Sequence, residues 1–399
     1  MVLRGIKRTP PLSRRLTYLA CLTFTLSFVS GLTGPIFPLH AQSLGASYQQ
    51  VGIMAAMGSM IHALSALQMG RLADVAGSEF MFFVAALTAS LAGAAYVASV
   101  TLPVAAIGKA LDSLFIAVFW PALESASHAS GSSAGHSMGV VYTAYPIATF
   151  TASVITGWIS GKYGYRASFG ASLAVAVCAA FVVRANMTRW KGLQAAAVDR
   201  PGKHSGRRIR PGRRFGFAAA LLSCFGYCIL VGLAVTFIPL LAEYRGMSVQ
   251  LVGLLVGVFW LGRTIASFPA GALSERLGRG AVTMPAFMVG TVGAMLTASA
   301  QRSTLMFIGV ALTGLCSGAV APVAMALGAE CSEPWAQGWG LGLCETFCGI
   351  GFIAAGLVGG ILAGHYGAYA PFASAGCALL ATVGALAILF LADAKSRPA

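Results

Sequence analysis

The chain has 399 residues, a formal net charge of +15, 57% hydrophobic residues and only 9% charged ones. A soluble domain carries roughly 25% charged residues, so this composition excludes a soluble enzyme, a nucleic-acid module and a disordered chain. At about 20 residues per membrane helix, the length leaves room for a dozen spans joined by short loops.

Twelve apolar runs are predicted as helices in chain order. The first six are residues 16–39, 51–69, 80–100, 102–123, 137–159 and 167–183. A polar, basic break follows. The second six are residues 215–241, 252–270, 281–300, 305–329, 339–362 and 369–391. The first run follows Arg4, Lys7, Arg8, Arg14 and Arg15. It outlasts the ~7–15-residue apolar core of a secretory signal, so it reads as a retained helix. The expected fold is an all-α integral membrane protein with 12 transmembrane helices in two six-helix bundles, residues 1–183 and 215–399. A basic linker, 184–214, joins them. Short alternating strands are not seen, which excludes a β-barrel.

Orientation follows from the basic residues. The N-terminal tail, Arg71, the linker, Arg276, Arg279, Lys395 and Arg397 all fall on one side of a twelve-span model. Only Lys162, Arg166, Arg245 and Arg302 lie in loops on the other. Both termini are therefore expected in the cytoplasm. The linker run Arg207, Arg208, Arg210, Arg213 and Arg214 reads as a cytoplasmic segment that meets anionic lipid, with no nucleic-acid partner.

The second half repeats the first at an offset of 201. Pro239, Gly246, Ser248, Gln250 and Gly253 fall on Pro38, Gly45, Ser47, Gln49 and Gly52. Gly271, Leu273, Glu275 and Gly278 fall on Gly70, Leu72, Asp74 and Gly77. Later the offset becomes 203, with Gly360, Gly364 and Gly367 on Gly157, Gly161 and Gly164. Matched glycines and prolines mark a six-helix unit repeated in one orientation, about an axis along the membrane normal. Gly356, Gly360 and Gly364, like Ser153, Gly157 and Gly161, recur every four residues, a spacing that lets helices approach closely.

These features resemble the major facilitator superfamily over the whole chain. The family's loop after its second helix reads roughly G-x-L-a-D-r-x-G-r-r. Here Gly70, Leu72, Asp74 and Gly77 match it, but Ser78 and Glu79 replace the final basics. The second copy keeps Gly271, Glu275, Arg276, Gly278 and Arg279. The resemblance implies that both loops are gating elements, forming a charge latch that favours the outward-open state. Glu124, Glu330 and Glu333 are expected to pair with Arg71, Arg276 or Arg279. Pro35 and Pro38 resemble the P-x-x-P of the family's drug and sugar exporters. The fifth-helix antiporter motif is absent from 145–154. At the fourth-helix R-x-x-q-G, Lys109 and Asp112 stand in the Arg and Gln places.

Ionisable residues inside a span cost roughly 2.5–3.5 kcal/mol each on insertion scales and are functional candidates by default. Lys109 and Asp112 share one helix face with Trp120. They form either a neutralised structural pair or a proton and substrate-charge site, and the family's cavity-lining fourth helix favours the second. Arg263, which cannot act as a base, anchors an anion or pairs with Glu345. His62 is a core histidine or a proton relay. Tyr142, Tyr145 and Thr149 share a face of the fifth span. The nine cysteines read as apolar packing residues. Two pairs, Cys224/Cys228 and Cys344/Cys348, have i,i+4 spacing, but no metal site is assigned. With no Walker A loop and no acid cluster, neither catalysis nor a cofactor is expected.

The expectation is a secondary active transporter of small organic molecules by alternating access, in the bacterial inner membrane. It is expected to act as a monomer and to couple efflux to protons as an antiporter. The alternatives are a proton-coupled importer of a sugar or organic anion, and a non-transporting sensor or assembly subunit.

Overall fold

A computed structural model describes residues 14–128, 134–187, 208–333 and 336–396, without the side chains at a few helical positions. Among the described residues the chain is helical, with no strand and one isolated bridge, Ile209 to Ser332. The helices are α1 (Arg14–Thr33), α2 (Phe37–Ser43), α3 (Tyr48–Ala76), α4 (Ser78–Ala98), α5 (Leu102–His128), α6 (Ala134–Tyr163) and α7 (Tyr165–Asn186). They continue as α8 (Arg214–Tyr244), α9 (Val249–Leu277), α10 (Arg279–Ser299), α11 (Ser303–Cys331), α12 (Gln337–Tyr366) and α13 (Ala370–Ser396). Among the described residues, ten segments are long and apolar enough to cross a membrane. Large side chains such as Leu64, Phe181, Ile388 and Leu391 point outward and are exposed. An apolar perimeter of that kind suits lipid, where a helix satisfies its backbone groups internally.

The helices outgrow the apolar runs because polar residues join their ends. α3 continues through Arg71 and Asp74 to Ala76, and α7 runs from Tyr165 to Asn186, beyond the expected 167–183. The expected linker is shorter at both ends, since Arg184 belongs to α7 and Arg214 opens α8. The run expected to be continuous over 16–39 is broken between Thr33 and Phe37. Pro35 lacks the N–H that would bond back to Gly31, and Gly34 weakens the turn before it.

Packing on the two sides of the linker follows one pattern. α1 packs on α6 and α7, α4 on α5 and α7, and α3 on α5. Correspondingly α8 packs on α12 and α13, α10 on α11 and α13, and α9 on α11. The turn glycines obey the same correspondence. Gly77 and Gly278 have φ of 89° and 97°, and Gly164 and Gly367 have 83° and 98°. Gly77, Gly164 and Gly278 each stand alone between two helices, and Gly367 opens a three-residue turn before α13, all in a conformation that only glycine adopts without strain.

Two crossings join the halves, α3 with α12 and α6 with α9. A Cβ on Gly52 would stand 2.7 Å from Gly360 Cα, and one on Gly157 would stand 2.8 Å from Gly253 Cα. The offsets map one crossing onto the other: Gly52 onto Gly253, and Gly360 onto Gly157. Both lie near the turns that hold Gly45 and Gly164, here called the far end. The starts of α1 and α8 and the end of α13 lie at the opposite, terminal end. There Gly216 N donates to Asp393 Oδ1 at 2.9 Å, and Ser396 Oγ donates to Gly212 O at 2.7 Å.

Before α8 the chain is tied down. Arg210 N donates to Cys331 O at 3.0 Å, and Glu333 N to Arg208 O at 2.9 Å. Arg210 Nε reaches Ser332 O at 2.9 Å, and the Arg208 guanidinium lies 5.3 Å from the Trp339 ring centroid. Residues 208–213 thus belong structurally with α11 and α12.

Candidate functional site

A cavity of about 340 Å³ lies between the two sets of helices. α1, α3, α5 and α6 form one wall, and α8, α9 and α12 the other. His62, Lys109, Asp112, Trp120, Arg263 and Glu345 all border it. Sequence spacing placed some of these on shared faces. The bundle adds that faces from both halves turn toward one space.

On the first wall, Lys109 Nζ lies 3.2 Å from Asp112 Oδ2, one helical turn along α5. The Asp112 side chain is 7% exposed and that of Lys109 19%, so the lysine is the wetter partner. The Lys109 ammonium lies 5.6 Å from the Phe37 ring centroid on α2. Room for it comes from Gly58 on α3. A Cβ there would come within 3.3 Å of Lys109 Cε and 2.5 Å of Ser113 Oγ. His62 stands one turn further along α3, and its Nδ1 is buried without a hydrogen-bond partner among the described residues.

On the second wall, Arg263 donates to Ser317 Oγ at 2.5 Å, reaching from α9 to α11. Its guanidinium lies 5.5 Å from the Tyr227 ring centroid and 5.8 Å from that of Trp260. Two aromatic faces and one hydroxyl therefore hold the cation. Glu345 borders the same cavity from α12. The α9–α11 approach depends on small residues: a Cβ on Gly318 would stand 2.7 Å from Arg263 Cα.

An aromatic row crosses between the walls. Trp120 and Tyr145 pack edge to face with centroids 5.1 Å apart, and Tyr145 and Trp260 do so at 5.2 Å. Edge-to-face geometry aligns the positive rim of one ring with the negative face of the next. Tyr145 and Thr149 border the cavity, while the side chain of Tyr142 lies outside the described residues. Tyr227, Trp260 and Ser317 were not found by sequence reading. Trp260 carried a usable signal, standing three residues before an intramembrane arginine on one helix face. Ser317 carried none, because a serine in an apolar run is ordinary.

The predicted gating residues lie apart from the cavity, at the terminal end. Arg279 forms an ion pair with Glu330 and donates to Ser274 Oγ at 2.5 Å. Glu275 and Arg276 are exposed. Gly278 forms the turn, and a Cβ on Gly271 would meet nothing. In the first copy Gly77 forms the turn, and the side chains at Gly70, Arg71, Asp74 and Glu124 lie outside the described residues. Glu79 is buried there and accepts from Tyr18 Oη at 3.3 Å. That acid turns inward onto α1, whereas Arg279 in the second copy reaches across to α11.

The described residues contain no group of three or more His, Cys, Asp or Glu side chains placed to hold a metal.

The family model of the Major Facilitator Superfamily matches residues 19–231 and 217–399. The chain is similar to the inner membrane transport protein YajR of Escherichia coli K12, with 29% identity over 151 residues, 37% of this chain and 32% of that protein. It is 32% identical over 151 residues to the multidrug resistance protein MdtG of Salmonella paratyphi C, covering 37% of each chain. The chain thus spans about a third of the length of these curated relatives. Its fold is similar to that of the POT family transporter PepTSo, with a TM-score of 0.74, 10% identity and coverage of 96% and 99% of the two chains. A bacterial homologue of the lysosomal transporter Spinster, in an inward-facing unoccupied conformation, gives a TM-score of 0.71 at 13% identity, covering 97% and 99%. Because the family model spans nearly the whole sequence, in two segments that overlap within α8, the chain belongs to the major facilitator superfamily.

Proposed function

We propose that this protein is a secondary active transporter of small organic molecules, working by alternating access and coupling efflux to protons. Its twelve spans form two six-helix bundles, residues 1–183 and 215–399, with α1 and α2 together making the first span. The linker and both termini lie in the cytoplasm of a cell whose inner membrane holds the protein as a monomer. The observation that carries this reading is the convergence of charged and aromatic side chains from both halves on one cavity. Intramembrane charge is expensive and persists where a function uses it. Each half contributes one cation and one acid, Lys109 and Asp112 from the first and Arg263 and Glu345 from the second.

The far-end glycine crossings close the molecule on the side away from the termini. With the termini in the cytoplasm, this is an inward-facing state. Rocking about these crossings exchanges access without breaking either bundle. Asp112 is the proton site, with Lys109 as the counter-charge that replaces the proton. Trp120, Tyr145 and Trp260 present ring faces and edges to an aromatic substrate. MdtG is named for multidrug resistance, which supports efflux of such compounds here.

The test uses inside-out vesicles with an acid interior and ethidium as the probe. Accumulation should require the protein and collapse with an uncoupler. A second reading, import of an organic anion held by Arg263, is favoured by the guanidinium between Tyr227 and Trp260. Glucuronate uptake in right-side-out vesicles, with no ethidium movement, would decide for it. Neither flux in proteoliposomes, for a broad panel of cations, sugars and carboxylates, would leave the non-transporting sensor.

A further inference from the structure

Four cysteines lie on the helices α8 and α12, which pack against each other. Cys224 and Cys228 lie one turn apart on α8, and Cys344 and Cys348 repeat that spacing on α12, so each pair shares a helix face. All four are free and buried, and Cys228 and Cys348 are almost completely removed from the surface. Small residues permit the approach: a Cβ on Gly351 would stand 2.6 Å from Phe225 O and 3.0 Å from Cys228 Cβ. Cys228 and Cys348 also border the cavity. The Tyr227 hydroxyl lies 3.2 Å from Cys348 Sγ, and the Arg263 guanidinium lies beyond that tyrosine ring.

We propose that Cys228 and Cys348 form a two-coordinate site for a soft monovalent d10 cation of the copper(I) class, reached from the cavity. Soft sulfur ligands select such ions. Zinc takes four ligands and calcium takes six or more oxygens. No group of three ligating side chains is placed for a metal among the described residues, which leaves the linear geometry that copper(I) accepts. Each thiol gives up its proton on binding, so two protons leave to solvent. Two thiolates and one monovalent cation carry a net charge of −1, which Arg263 on the same wall offsets. This site depends on the packing of α8 against α12 and not on the transport reading, so either can fail without the other.

The test uses the purified full chain under anaerobic conditions, with the exposed Cys21, Cys178 and Cys377 replaced by serine. Copper(I) is titrated against the chromogenic chelator bicinchoninate. One equivalent should bind, and affinity should fall roughly 100-fold per pH unit while two protons compete with the metal. Cys228→Ser and Cys348→Ser should each lower the affinity at least ~100-fold, and Cys316→Ser should leave it unchanged. Cys348→Met keeps a soft ligand that carries no proton. It should retain binding, with the pH dependence reduced to about tenfold per unit. This variant separates loss of a ligand from loss of the fold. Wild-type affinity in both serine variants, equal loss in Cys316→Ser, or an unchanged pH dependence in Cys348→Met would each overturn the proposal.

Discussion

Asp112 and Lys109 are a carboxylate and an ammonium one helical turn apart, almost removed from water. Lys109 alone could stay hydrated through its partial exposure. Asp112, the more buried of the two, has Lys109 as its ion-pair partner. Asp112→Asn keeps the shape and removes the titrating group, so pH-gradient-driven flux should vanish while substrate exchange and thermal stability stay near wild type. Full pH-driven flux in that variant would remove Asp112 as the proton site. Lys109→Ala, by contrast, strands a buried anion and should cost roughly 1–3 kcal/mol of stability. Adding Asp112→Asn to it should restore most of that loss, measured by denaturation in detergent. The candidate charges were legible because an ionisable residue in an apolar run has few ordinary explanations. What surrounds them was not. Arg263 rests on Tyr227 and Ser317, which are 36 and 54 positions away in sequence, and no local pattern links residues at such distances.

At the scale of the helix, the glycine crossings are the elements that a single side chain can block. Gly157→Val puts a branched side chain where the α9 backbone already stands. Overpacking costs about 1–3 kcal/mol, and the helices can relieve it by parting at the far end. Cysteine probes placed there should become more accessible, and flux should fall at least tenfold. The equivalent change Gly52→Val should do the same through α3 and α12. If only one of the two shifts accessibility, the crossings are not equivalent gates. The Arg279–Glu330 pair belongs to this scale too, since it joins the start of α10 to the end of α11. Arg279→Ala should impair flux with substrate affinity retained, and should leave the cytoplasmic mouth more accessible. Lost affinity with unchanged accessibility would exclude a latch. An exposed pair of this kind contributes at most about 1 kcal/mol, so the effect should be a biased population rather than a locked state.

For the whole molecule, the repeat was the most informative feature of the sequence. Apolar periodicity located most of the helices, but the matched glycines assigned them to equivalent places, because each marks a turn or a crossing that both halves need. Helix ends were less legible, since Arg71, Asp74 and Arg184 are polar yet helical. The linker was half legible. Its basic character could be read, but the attachment of 208–213 to α11 and α12 could not, because its backbone hydrogen bonds leave no mark on the sequence and its arginine contacts join residues more than a hundred positions apart. Orientation remains a prediction of charge. Reporter fusions should place both termini and the linker in the cytoplasm. Trp158, Tyr163, Tyr244 and Tyr366, exposed near the far-end turns, should mark the opposite interface. A periplasmic C-terminus would exclude the twelve-span arrangement.

The interruption between α1 and α2 makes the two repeats mechanically unequal. The places of Gly34 and Pro35 are taken in α8 by Val235 and Thr236, so the counterpart helix continues unbroken through Pro239. One half therefore opens with a stiff lever and the other with a jointed one. α2, beyond the joint, packs against α8 of the opposite half. Under the proposed rocking motion it would stay seated there while α1 swings with its own bundle, and the far-end seal would outlast the start of the stroke. Copying the second repeat into the first, with Gly34→Val and Pro35→Thr, removes that compliance. Such a protein should bind substrate as before but turn over more slowly, and the amide of Phe37 should exchange with deuterium as slowly as that of Ile238. Rapid turnover with a fused helix would mean that the joint is a scar of sequence and not a working part.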